Sequence, residues 1–76
     1  MKLFTADWCA NCQPIKKLIE EKGYDVDIIN VDEYPAAVRD CGVRSIPTLV
    51  LDNGVLVVGS IEIRRVIEET YGGAIV

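Results

Sequence analysis

Histidine is absent from this chain, and cysteine is scarce: Cys9, Cys12 and Cys41 are all there is. Three cysteines are too few, and odd in number, for a secreted disulfide scaffold. Structural zinc wants four ligands, commonly two cysteine pairs or a pair with added histidines. A tetrahedral site within one chain would therefore need carboxylates or a second molecule. Basic residues are also in the minority, 8 Lys and Arg against 12 Asp and Glu, for a net charge of −4. That disfavours nucleic acid as a partner, because neutralising phosphates needs a basic surface. No apolar run reaches the roughly 18 residues of a membrane span. The opening Met1-Lys2-Leu3-Phe4-Thr5 is too short to be a signal peptide. The expectation is a monomeric cytoplasmic protein without a membrane or nucleic-acid partner. Repeats, linkers and low-complexity segments are missing as well.

What is present suits one packed domain spanning residues 1–76, half apolar and 26% charged. A chain this short buries only about 60% of the surface its unfolded form exposes, so its core is small. Met1–Thr5 reads as a first strand. A helical pattern runs from about Asn11 to Lys22, with Cys12, Ile15, Leu18 and Ile19 on one face. Asn11 is placed to cap that helix, Pro14 lies in its first turn, and Gly23 can end it. Asp25–Val31 is a second, β-branched strand, joined to the first through the helix and so parallel to it. A short helix follows from about Tyr34 to Cys41, with Pro35 near its start and Gly42 after its end. Thr48–Leu51 and Val55–Val58 flank Asp52-Asn53-Gly54, a hairpin signal. A last helix begins after Ser60, buries Ile63, Val66 and Ile67, and stops at Gly72-Gly73. The order β-α-β-α-β-β-α describes an α/β fold: a four-stranded mixed sheet flanked by three helices.

The chemistry centres on Trp8-Cys9-Ala10-Asn11-Cys12. Cysteines three positions apart at the start of a helix are near enough to close a disulfide and reopen it. The two sulfurs are not equivalent. Cys12 falls on the apolar stripe and faces the core. Cys9 precedes the helix and is expected to be exposed, where the positive helix end and free backbone N–H groups favour a thiolate. Cys9 is thus the candidate attacking nucleophile and Cys12 the resolving thiol. The same spacing can also hold a soft metal, but the βαβ setting favours redox chemistry.

A second signal is Val43-Arg44-Ser45-Ile46-Pro47-Thr48-Leu49. Together with Trp8-Cys9 through Cys12 it resembles the thioredoxin family, and in element order the resemblance covers nearly the whole chain. It implies that Pro47 is a cis-proline facing the redox pair and that the Ile46 backbone is free to pair with an extended substrate. Val58-Gly59-Ser60 resembles the segment bordering the substrate groove, where a glycine lets a partner backbone approach. Trp8 is expected at the site surface as a flat apolar contact. The implied activity is reduction of protein disulfides by the Cys9/Cys12 dithiol, with no other cofactor and no metal. Its partners would be disulfide-containing proteins and a reductase of the thioredoxin-reductase type or another dedicated kind.

The chain also departs from that pattern. Ala10-Asn11 stands where the family usually has Gly-Pro. The buried acid that many thioredoxins carry on the first core strand falls at Leu3. Asp7 is then the nearest carboxylate, a possible modulator of the pair along with Ala10 and Asn11. Lys16 and Lys17 read as solvated helix residues, and Cys41 as a small buried hydrophobe. In length the chain resembles glutaredoxins, although their glutathione-binding pattern is poorly represented. Three alternatives stay open: a glutathione-dependent reductase, a dedicated electron donor, for example to ribonucleotide reductase, and a soft-metal chaperone.

Overall fold

The computed structural model describes residues 1–72. The Gly73 end of the last helix and the apolar Ala74-Ile75-Val76 lie outside the described residues. Four strands, β1 (Lys2–Thr5), β2 (Asp27–Asn30), β3 (Thr48–Val50) and β4 (Leu56–Val58), form one sheet in the order β2-β1-β3-β4. β1 pairs parallel with β2, Leu3 opposite Ile28, and antiparallel with β3, Leu3 opposite Leu49. The parallel half follows from the helical crossover, the antiparallel half from the hairpin. Between β3 and β4 lie five residues, 51–55, closed by a Leu51 N–H to Val55 carbonyl bond and with Gly54 at φ 88°. Asn53 Oδ1 accepts the Val55 N–H there at 3.1 Å, so the asparagine stabilises the turn through its side chain.

Three helices join the strands: α1 (Gln13–Lys22), α2 (Pro35–Cys41) and α3 (Ser60–Ile67), the last continued by a wider π-type turn over Glu68–Gly72. Ile15 and Ile19 of α1 and Ile63 and Ile67 of α3 pack on Leu3 and Leu49, one face of the sheet. Alternation along the strands sends Phe4 and Thr48 to the other face, where both are buried. There Cys41 of α2 lines a groove with Lys2, Asp27 and Val50, which places α2 on that second face. Cys41 is only partly buried, because α2 is short and none of its residues is fully covered. The expectation of a buried Cys41 is corrected accordingly. This groove is at the beginning of β1, away from the motif that follows its end.

The start of α1 differs from the sequence reading. A single 3-10 turn, Ala10–Cys12, precedes the helix, and no side chain caps either segment. Asn11 lies inside that turn and is exposed, so it caps nothing. Pro14 falls in the first turn of α1, where its missing N–H is harmless.

Candidate active site

The end of β1 delivers Ala6 into the interior, and the chain then turns outward through Asp7 and Trp8. The Cys9 N–H donates to the Ala6 carbonyl at 3.1 Å, and the Cys12 N–H to the Cys9 carbonyl at 3.2 Å. These two bonds fold the motif back on itself and bring both sulfurs against Ala6, with Val31 and Ile46 packed around them. All three cysteines are free thiols. Cys12 is fully buried, as its place on the apolar stripe required. Cys9 departs from expectation: only 8% of it is exposed, because Ile46 and Val31 close over the turn. Its accessible fraction nonetheless exceeds that of Cys12.

The sulfurs differ in chemistry too. Burial pushes the Cys12 thiol up to about 11, helped by the Cys9 sulfur, which accepts its hydrogen bond and carries like charge when ionised. A backbone hydrogen bond from Ala6 and the Lys16 ammonium act in the opposite direction. Cys12 therefore holds its proton more firmly than an ordinary thiol.

The second segment meets the first directly. The Ile46–Pro47 peptide bond is cis, Pro47 is buried, and Ile46 packs against the two cysteines. Among the described residues no backbone hydrogen bond engages the Ile46 N–H or carbonyl. Thr48 Oγ1 donates to the Ser45 carbonyl at 2.6 Å, fixing the turn that leads into β3. Gly59 N–H donates to the Pro47 carbonyl at 3.3 Å, so Ile46, Pro47 and Gly59 form one continuous border. Gly59 has φ 96° and ψ 141°, a conformation essentially confined to glycine.

Trp8 is 69% exposed, and its indole Nε1 donates to Asp32 Oδ2 at 2.9 Å. The sequence reading found Trp8 but missed Asp32, which is 24 residues away and reaches it only through the parallel β1–β2 pairing. Beside the indole runs an open apolar groove of ≈330 Å³, lined by Val31, Val38, Val43 and Ile46 with Arg44 and Ser45. On the other flank, Asn11 shares a smaller depression with Pro14, Ser60, Ile61 and Arg64. Ala10 is exposed at the start of the 3-10 turn. The exposed Asp7 carboxylate pairs with Lys16, its Oδ1 3.6 Å from Nζ. Among the described residues, no group of three or more Cys, Asp or Glu is placed to share a metal ion.

Residues 1–71 match the thioredoxin domain family. This chain belongs to the thioredoxin family. A thioredoxin of Methanocaldococcus jannaschii is 30% identical over 79% of this chain and 78% of its own length. A thioredoxin of Streptomyces clavuligerus is 40% identical over 76% of this chain. The glutaredoxin-like protein NrdH of Escherichia coli K12 is 33% identical over 63% of each. This thioredoxin-family chain spans 59% of the Streptomyces protein and 52% of a Chlamydia caviae thioredoxin.

Proposed function

We propose that this protein is a thiol–disulfide oxidoreductase that reduces protein disulfides with the Cys9/Cys12 dithiol. The observation that carries the reading is the inequality of the two sulfurs, one fully buried with its thiol raised by burial, the other at the border with Ile46, Pro47 and Gly59. Cys9, as thiolate, attacks one sulfur of the substrate disulfide; that S–S bond breaks and the other substrate sulfur leaves as thiolate. Cys12 then loses its proton to solvent and attacks the Cys9 sulfur. The mixed disulfide breaks, the second substrate thiol is released, and Cys9–Cys12 closes as a disulfide. Two electrons pass from protein to substrate. The high effective concentration of Cys12 drives the second step. A separate reductase returns the dithiol, and no further cofactor takes part.

Substrate selection rests on the border residues. An extended segment would pair with the free Ile46 backbone groups, and an apolar side chain next to its cysteine would enter the groove between Trp8 and Val43. We place the activity in the cytoplasm, in a monomer. A glutaredoxin-like donor role is the second reading, and the NrdH similarity favours it.

Disulfide reduction assayed with two separate electron supplies tests the proposal. Turnover with NADPH and thioredoxin reductase is the expected result. Turnover with glutathione and its reductase alone would move the protein to the second reading. Failure with dithiothreitol as well would exclude both. Cys9→Ser should abolish exchange, and Cys12→Ser should accumulate mixed disulfides with substrate.

A further inference from the structure

Lys16 and Lys17 are adjacent in sequence, yet the fold treats them differently. Lys17 is 76% exposed and reaches along the helix surface to Glu21, whereas the Lys16 side chain is 21% exposed and its ammonium turns back to Asp7. Lys16 is one turn after Cys12 on the same face of the helix, and long helical side chains point toward the N-terminus. Its stem lies beside Ala10 and Gln13, next to the turn that carries both cysteines. Asp7 in turn is fixed through its carbonyl, which accepts from Gln13 Nε2 at 3.2 Å. No carboxylate on the first core strand can take the Cys12 proton, because that strand carries Leu3 in the apolar core, so a nearby cation is the remaining charged aid to ionising Cys12.

We propose that Lys16, held by Asp7, is a positioning residue for the resolving step, its ammonium stabilising the Cys12 thiolate as that thiolate attacks Cys9. The inference rests on the dithiol exchange described above. In the mixed disulfide Cys9 no longer bears charge or accepts the Cys12 proton, so burial is the main obstacle to ionising Cys12. A cation one turn away counters burial directly. Of the other charged groups nearby, Asp7 holds the Lys16 ammonium, Lys17 pairs with Glu21, Glu20 shares the surface depression beside Lys16, Asp32 is engaged by Trp8, and Arg64 on α3 is bound to Glu68.

Dithiobis-nitrobenzoate isolates the step. In a Cys41→Ala background, Cys9 displaces one thionitrobenzoate to form the mixed disulfide. Cys12 then displaces the second as Cys9–Cys12 closes, so the two releases are read separately. Lys16→Met should slow the second release about three- to tenfold at pH 7, shifting its pH profile up by about half to one unit. The rates should converge at alkaline pH, where Cys12 ionises without help. Lys16→Arg should restore the wild-type profile, and Lys17→Met should leave it unchanged. Equal slowing at all pH values, or no slowing, overturns the role of Lys16 while leaving dithiol exchange intact. A parent protein that releases one thionitrobenzoate and never the second overturns the exchange reading, and this inference with it.

Discussion

At the scale of the residue, Cys12 couples the stability of the reduced protein to alkaline pH. Its thiol ionises at about 11 in the fold against an ordinary value of 9.0. A folded value above the unfolded one means that the unfolded chain loses its proton first as pH rises. The stabilisation is complete below pH 9 and is lost between about pH 9 and 11, by about 3 kcal/mol. Tyr71, raised by burial and by Asp25 and Asp52, adds a slope of the same sign. Urea denaturation of the reduced protein should therefore show declining stability over this range, with a shallower decline in Cys12→Ser. Identical slopes would contradict the burial argument. Asp32 makes a separate prediction. Asp32→Ala frees the indole, so Trp8 fluorescence should shift and KM for a protein disulfide should rise about two- to fivefold, consistent with loss of one exposed hydrogen bond. Asp32→Asn, which keeps an acceptor, should stay near wild type; an unchanged KM in Asp32→Ala would remove Asp32 from the site.

The elements show why some of this was legible in the sequence. β-branched runs, the Asn53-Gly54 turn and the apolar stripe of α1 are local patterns, and local patterns specified the strands, the hairpin and the inward face of Cys12. The beginning of α1 was misread because Asn11 is a good cap by type, whereas backbone bonds among Ala6, Cys9 and Cys12 fold that segment into a 3-10 turn. Asp32, the covering of Cys9 and the Lys16–Asp7 pair are products of tertiary packing, for which no short spacing is a signal. Gly59 was legible only as a residue type. A Cβ added there meets nothing within 4 Å, so its strand-to-helix role is conformational. Gly59→Ala should lower stability by about 1–2 kcal/mol through strain alone, measurable as a shift in the urea midpoint. A neutral result would mean the β4–α3 junction relaxes to another backbone conformation.

For the whole molecule, the decisive fact is how little interior there is. β1 is an inner strand, paired on both sides, and Leu3 at its centre is fully buried among Ile15, Ile19, Leu49 and Ile63. At this place, where the thioredoxin resemblance would put an acid, the surroundings are apolar side chains. Leu3→Asp should therefore destabilise the protein by more than the roughly 2–5 kcal/mol of a Leu-to-Ala change, because an unpartnered carboxyl is buried as well. The pH dependence gives the cause. Burial raises the folded carboxyl above its unfolded value of about 3.9, so the variant is least destabilised below that pH and loses stability as pH rises through the raised value. Leu3→Asn has similar shape without a titrating group, and its deficit should not change over the same range. Urea unfolding of the two variants between about pH 3 and 8 distinguishes them. A Leu3→Asp protein as stable as Leu3→Asn at neutral pH would show that water or a cation reaches this strand, and that the small core tolerates the acid it lacks.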